Sequence, residues 1–268
     1  MNVVLNGVEL GYDDTGSGTA VLFIHGFPHD RSLWSEQASA LSTHVRCVVP
    51  DLRGFGESST DGPYSVDQYA DDLAQLLTHL SIEHAVVCGL SMGGYIAMAM
   101  WRRHPHCVQA LVLCDTKAGA DTAEVRGKRD DLIATTLREG SAKVAALQLP
   151  GMVGKTTREK RPDIVQRASG MMERQPVPGI VGALTALRDR PDSRATLATV
   201  SVPTLVVVGD EDVLTPVAEA EGMMAALGPQ TRAKLEIVQG AGHASCMERP
   251  AAVTHVLADF LATLSVHS

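Results

Sequence analysis

The sequence lacks any concentration of positive charge. Its 23 lysines and arginines are outnumbered by 31 aspartates and glutamates, for a formal net charge of -8. No lysine- or arginine-rich cluster stands out, so nucleic acid and anionic membrane surfaces are not expected partners. No apolar run reaches the length of a membrane span. The first residues, Met1-Asn2-Val3-Val4-Leu5-Asn6-Gly7, put no basic residue ahead of their apolar stretch and contain no cleavage-like site. A secretory leader is therefore not expected. The five cysteines, Cys47, Cys88, Cys107, Cys114 and Cys246, are odd in number and show no C-x-x-C spacing. Reduced, mostly buried thiols in a cytoplasmic protein fit that pattern. Repeats and low-complexity tracts are absent. What remains is an ordinary soluble composition, 45% hydrophobic and 20% charged, in a chain long enough for one large α/β domain with an insertion.

Short apolar runs punctuate the chain. Val3 to Leu5 and Glu9 to Asp13 read as two strands joined at Asn6-Gly7, a hairpin signal. Ala20 to Ile24, Val45 to Val49, Ala85 to Cys88, Ala110 to Cys114 and Thr204 to Val208 are continuous runs, as expected of strands buried on both faces. Lys234 to Val238 reads as the last strand. Helical stretches lie between them: Ser32 to Leu41, one opened by a capping box at Ser65-Val66-Asp67-Gln68, one after Gly93, Pro216 to Leu227, and Pro250 to Leu264. Strands alternating with helices predict a mainly parallel sheet covered on both faces, with an antiparallel start. From about Lys117 to Thr199 the pattern changes. That stretch has no strand-like run and no Phe, Tyr or Trp. It reads as helices broken at Gly140, Pro150-Gly151, Pro162, Pro176, Pro178 and Pro191. The expected division is a core of residues 1–117 and 200–268 with a helical insertion over 118–199.

The densest signal is Gly89-Leu90-Ser91-Met92-Gly93-Gly94. A strand ends, a serine follows at the apex of a turn, and a helix begins. Gly89 and Gly93 flank Ser91 with the G-x-S-x-G spacing of a nucleophile elbow. The pentapeptide alone is equally compatible with a serine that merely caps the helix. A serine hydroxyl needs a base, and the base needs an acid that fixes its tautomer. In a parallel sheet the loops after the strands share one edge. His25, Asp51, Ser91, Asp115, Asp212 and His243 all follow predicted strands. Of ten histidines, those in helices, at helix ends, in the tail, or before a strand (His44) are poorly placed, which leaves His25, His29 and His243. His243, in a flexible Gly240-Ala241-Gly242 loop, is the expected base, while the His25 ring is expected to brace loops. Asp212 is the leading acid, with Asp210 and Glu211 close rivals and Asp115 a weaker alternative. Asp51 and Arg53 are expected to hold loops together. The oxyanion donors are expected to be the backbone N–H groups of Met92 and Phe27; Pro28 has none to offer.

These motifs resemble the α/β-hydrolase superfamily over nearly the whole chain. His25-Gly26-Phe27-Pro28, the run Asp51 to Ser58, Gly89 to Gly94, Gly209-Asp210-Glu211-Asp212 and Gly242-His243 occur in that family's order and rough spacing. The resemblance implies an eight-stranded, mostly parallel sheet flanked by helices, with a helical cap in the place of the insertion. It is most similar to small bacterial carboxylesterases and to the 3-oxoadipate enol-lactonase and cofactor-free haloperoxidase group. Relatives that use an aspartate nucleophile are excluded by Ser91. Epoxide hydrolases also use cap tyrosines, and the insertion has none. Carbon–carbon bond hydrolases often place tryptophan after the histidine, where this chain has Ala244, and no His-Gly-Gly-Gly oxyanion loop is present. The implied activity is hydrolysis of short- to medium-chain carboxylic esters, with no cofactor or metal, on a small-molecule substrate, by a monomer or homodimer. A cap lined by aliphatic and methionine side chains would be apolar and adaptable, and simple packing of those methionines inside the cap is expected at least as much. Lactonase and peroxide-dependent activities on the same residues remain open, as does a ligand-binding protein on the same fold.

Overall fold

The computed structural model describes residues 1–5 and 7–265. Eight strands form one sheet in the order β1-β2-β4-β3-β5-β6-β7-β8. They are β1 Asn2–Leu5, β2 Val8–Thr15, β3 Ala20–Ile24, β4 Arg46–Pro50, β5 Ala85–Leu90, β6 Val108–Cys114, β7 Thr204–Gly209 and β8 Ala233–Val238. The first two strands pair antiparallel, and β2 pairs antiparallel with β4; every later pairing is parallel. Asn6, half of the expected hairpin turn, lies outside the described residues.

The continuous apolar strands divide their side chains between two faces. Leu22 and Ile24 of β3 join a cluster on one face, and Val21 and Phe23 join a cluster on the other. This is the period-2 geometry of a strand with both faces covered. On the first face lie helices α2 (Val66–His79) and α3 (Met92–Arg103), while α1 (Ser35–Leu41) and the C-terminal helix Pro250–Ser265 take the second. Each fully buried Leu or Ile contributes roughly 1.5–3 kcal/mol. The Ser65 hydroxyl accepts from the Gln68 N–H at 2.9 Å, but Gln68 turns its amide to Asp72, so only half of the expected capping box forms. All five cysteines are free and buried. Among the described residues, no helix is long and apolar enough to cross a membrane.

Between β6 and β7 the chain is helical: α4 Ala123–Met152, α5 Lys155–Lys160, α6 Pro162–Glu173, α7 Val177–Asp189 and α8 Arg194–Leu197. Not every expected break occurs. Gly140 does interrupt α4, at φ 78° and ψ −176°. Pro150 instead sits inside the last turn of α4, where it removes only one backbone bond. Its carbonyl accepts from Arg158 Nη1 at 2.5 Å, which satisfies a terminal acceptor. Pro162 and Pro178 fall in the first turns of α6 and α7, positions that tolerate proline. Of the two expectations for the methionines, packing rather than lining is the one seen. Met152 and Met172 pack on Ala145 inside the helical layer, and Met171 joins the cluster on the second face of the sheet. Val144 of α4 and Ile180, Ala183 and Leu184 of α7 share a cluster with Phe27 and Met92.

Candidate active site

At the end of β5 the backbone is forced into a sharp turn. Ser91 adopts φ 55° and ψ −111°, a conformation costly for a residue with a side chain. The glycines around it are required by close approach. A Cβ on Gly89 would lie 2.1 Å from the Gly93 carbonyl oxygen, and one on Gly93 would lie 2.3 Å from that of Ile24. The turn is pinned by the Ser91 N–H donating to the Cys114 carbonyl (2.9 Å) and by Thr116 Oγ1 donating to the Ser91 carbonyl (2.8 Å). The Ser91 side chain makes no capping hydrogen bond to helix α3. Its Oγ lies 2.7 Å from His243 Nε2.

His243 Nδ1 lies 2.9 Å from Asp212 Oδ2. With Asp212 ionised, Nδ1 carries the proton and Nε2 is left to accept from Ser91. Asp212 is held in turn by four donors. Its Oδ1 accepts from the N–H groups of Leu214 and Thr215 (2.8 and 3.0 Å), and its Oδ2 accepts from Thr215 Oγ1 (2.6 Å) as well as from His243. Burial alone would raise the Asp212 pKa, yet the imidazole of His243 and these hydrogen bonds outweigh it and the pKa is lowered. Burial likewise disfavours a charged His243, but the neighbouring Asp212 carboxylate overcomes it and its pKa is raised above 6.5.

The rival acids have other partners. Asp210 Oδ1 accepts from the Gly240 N–H at 2.6 Å. Glu211 takes the Thr156 N–H at 2.7 Å and also the Thr156 hydroxyl. The loop expected to be flexible is therefore tied down. Glu211 N–H donates to the Ala241 carbonyl, the Gly242 N–H donates to Glu248 Oε1 and the Ala244 N–H donates to the Met152 carbonyl, each at 2.8–2.9 Å. His243 is 2% exposed and fixed rather than free to swing. Glu248, buried, also accepts from the Gly154 N–H (2.8 Å).

His25 braces loops as expected. Its Nδ1 donates to the Gly26 carbonyl (2.9 Å), and its Nε2 accepts from the Leu52 N–H (3.0 Å). Asp51 and Arg53 also hold loops, but not through each other. Asp51 accepts from the Arg31 N–H (2.8 Å), its guanidinium (2.5 Å) and the Glu57 N–H (2.9 Å), while Arg53 pairs with buried Asp72 (2.7 and 2.9 Å). Phe27 and Met92 are both buried beside the elbow. A Cβ on Gly26 would stand 3.2 Å from the Ser91 Cβ, so the Gly26-Phe27 loop lies directly against the serine. The Met92 N–H belongs to the first turn of α3, whose donors have no partner within the helix. Among the described residues, no turn or loop carbonyl accepts from the Phe27 N–H.

Thr215 is a site residue that sequence reasoning missed. Its signal is the D-x-x-T spacing from Asp212 just before Pro216, the pattern of a side chain capping the next turn. Asp115, the weaker alternative for the acid, has a different role. It is fully buried at the end of β6, with Oδ1 accepting from the Gly209 N–H (2.9 Å) and Oδ2 from the Ser245 hydroxyl (2.5 Å). It thus clamps the loops that carry Asp212 and His243 without touching the imidazole. Burial first, and then the nearby Asp212 charge, push its carboxyl pKa up to about 8. The folded chain thus holds a proton that the unfolded chain releases near pH 3.8. The stability this contributes is complete below that pH and is lost as pH rises through about 8. Asp115→Asn keeps an acceptor for Gly209 and offers an N–H to Ser245. The variant should therefore lose less stability than the parent between about pH 5 and about pH 9, read from urea midpoints. Equal losses would contradict the buried-proton account.

The family model described as the alpha/beta hydrolase fold matches residues 19–250. The chain therefore belongs to the α/β hydrolase fold family. It is 29% identical to 3-oxoadipate enol-lactonase 2 of Acinetobacter baylyi over 96% of this chain and 92% of that protein. Among solved structures, a thermophilic esterase from Thermogutta terrifontis aligns with a TM-score of 0.93 at 36% identity, covering 98% of this chain and 97% of the other. An enol-lactonase from Burkholderia xenovorans aligns with a TM-score of 0.90 at 28% identity, covering 98% and 100%.

Proposed function

We propose that the protein is a serine hydrolase of carboxylic esters working through an acyl-enzyme. The observation that carries this reading is the unbroken hydrogen-bond relay from Ser91 Oγ through His243 to Asp212. Ser91 Oγ attacks the ester carbonyl carbon as His243 Nε2 takes its proton. Asp212 stabilises the resulting imidazolium. The carbonyl oxygen, now an anion, is held by the N–H groups of Phe27 and Met92 at the positive end of α3. Collapse expels the alcohol, which takes the proton from His243. Water then repeats the sequence and releases the acid. Residues 118–199 act as a cap, and the aliphatic cluster that joins α4 and α7 to Phe27 supports an apolar acyl chain of short to medium length.

A second reading uses the same atoms to open a lactone. It is supported by the two enol-lactonases to which the chain is similar. A panel of p-nitrophenyl esters and lactones of graded length separates the two, with hydrogen peroxide added to detect a peroxide-dependent reaction. Ester hydrolysis predicts a burst of p-nitrophenol from p-nitrophenyl butyrate stoichiometric with enzyme, and a phosphonate adduct on Ser91 by mass spectrometry. No burst and no adduct would leave a ligand-binding protein as the better reading.

A further inference from the structure

His29 is a buried histidine for which the proposed chemistry has no use. It follows Phe27 by two residues, in the loop that presses on Ser91, and it is completely buried. Neither ring nitrogen has a partner in good hydrogen-bond geometry. The Gly26 carbonyl acts weakly on the ring, because that oxygen already accepts from His25 Nδ1 (2.9 Å) and from the His29 N–H (3.0 Å). Both of its lone pairs are used. A buried imidazole whose donor and acceptor are poorly satisfied destabilises the fold unless something binds it. Its position is set from both sides. Behind it, Asp30 is held by Arg174 (2.7 and 2.9 Å) and by Gln175 (2.8 Å), which anchors the loop to the helical insertion. The titratable groups that act on it are His25, His243 and Asp30. Burial, reinforced by the two other imidazoles, lowers its pKa to about 3, so the ring stays neutral. A neutral ring flanked by a carboxylate and two imidazoles suits an uncharged polar partner rather than an ion.

We infer that His29 is a specificity residue that hydrogen-bonds an uncharged second polar group, a hydroxyl or keto oxygen, on the acyl portion of an ester bound at Ser91. The inference rests on the hydrolase reading. It predicts that the enzyme favours hydroxy- or oxoacyl esters over the plain aliphatic ester of the same length.

The test compares ethyl butyrate with ethyl 2-, 3- and 4-hydroxybutyrate and ethyl 3-oxobutyrate. In the parent enzyme at least one polar ester should have the higher kcat/KM. His29→Leu, which fills the site with an apolar side chain of similar size, should reduce that preference about tenfold or more while leaving ethyl butyrate nearly unchanged. Its melting temperature should rise, because two poorly satisfied polar atoms are removed. His29→Asn, which keeps a donor and an acceptor, should retain part of the preference. No preference in the parent, or an equal change for polar and plain esters in His29→Leu, overturns the inference. Calorimetric titration of the same esters into Ser91→Ala, with and without His29→Leu, separates the two readings. Selective binding of a polar ester that His29→Leu abolishes sustains the His29 site even if no form turns over. Equal binding overturns it, while turnover by the parent keeps the hydrolase reading standing.

Discussion

Ser91→Ala is expected to lower kcat for p-nitrophenyl butyrate by about 10^5- to 10^6-fold, the scale of removing the nucleophile from an intact triad. The size follows from the geometry. Ser91 Oγ is the only protein atom that becomes bonded to the substrate in the proposed mechanism, and among the described residues no other hydroxyl is hydrogen-bonded to His243 Nε2, which Ser91 Oγ meets at 2.7 Å. The fold should survive. Alanine keeps the Cβ, so the φ of 55° gains no further strain, and the turn is pinned by backbone bonds and Thr116 rather than by the lost hydroxyl. Only His243 Nε2 loses a partner, at a serine that is partly open to solvent, and water can replace it. A melting temperature within a few degrees of the parent (a change of about 1 kcal/mol) would confirm an intact fold. Undiminished turnover in such a folded variant would sink the mechanism.

Asp212→Asn should cost about 10^4-fold in kcat. The asparagine amide would present a donor to His243 Nδ1, which already carries a proton, and the ring would turn to the wrong tautomer or orientation. The charge that stabilises the imidazolium would also be gone. The pH profile should report this separately. His243 has its pKa raised above 6.5, because the Asp212 charge outweighs the effect of burial. The base works only when neutral, so kcat/KM of the parent should fall as pH drops through that raised pKa. In Asp212→Asn the remaining activity should hold to lower pH, since the supporting charge is absent. Asp210→Asn is the control. It weakens one anchor of the histidine loop, the Gly240 N–H, at an exposed position, and should cost less than about tenfold. A larger loss from Asp210→Asn than from Asp212→Asn would overturn the choice of acid.

Much of this site was legible because its logic is topological. Continuous apolar runs such as Ala20 to Ile24 and Ala110 to Cys114, short and bounded by turn residues, read as strands covered on both faces, and a parallel sheet sends the loops after them to one edge. Gly89 and Gly93 announced a turn too tight for a side chain. What was not legible depends on side-chain reach. Asp210, Glu211 and Asp212 stand side by side in the sequence, and only the fold shows which one meets His243. The loop Gly240-Ala241-Gly242 reads as flexible by composition, yet its amides are held by carboxylates from other segments. Pro150 reads as a break, but a proline in a last turn costs little when an arginine receives its carbonyl. The poorly satisfied state of His29 has no local signature, because it depends on the Gly26 oxygen already being shared.

The carboxylates of Glu211 and Glu248 carry a consequence for how such a protein can be altered by inheritance or by design. Residues 152–157 are tied to the strand-end loops by the Met152 carbonyl, the Gly154 N–H and Thr156. A Cβ on Gly242 would lie 2.2 Å from the Gly154 nitrogen, so the two backbones meet without room for a side chain. The segment between β6 and β7 is therefore not an interchangeable module at this end. A transplanted insertion would have to bring donors for Glu211 and Glu248, or leave one oxygen of the buried Glu248 carboxylate without the Gly154 N–H it now accepts. The other end of the segment is tied as well: Arg190 Nη2 donates to the Gly119 carbonyl (2.9 Å), the Ser193 N–H donates to the Ala118 carbonyl (2.8 Å) and Trp101 Nε1 donates to Thr199 Oγ1 (3.0 Å). An exchange that preserves both ends leaves the His243–Asp212 pair, 2.9 Å apart, in register.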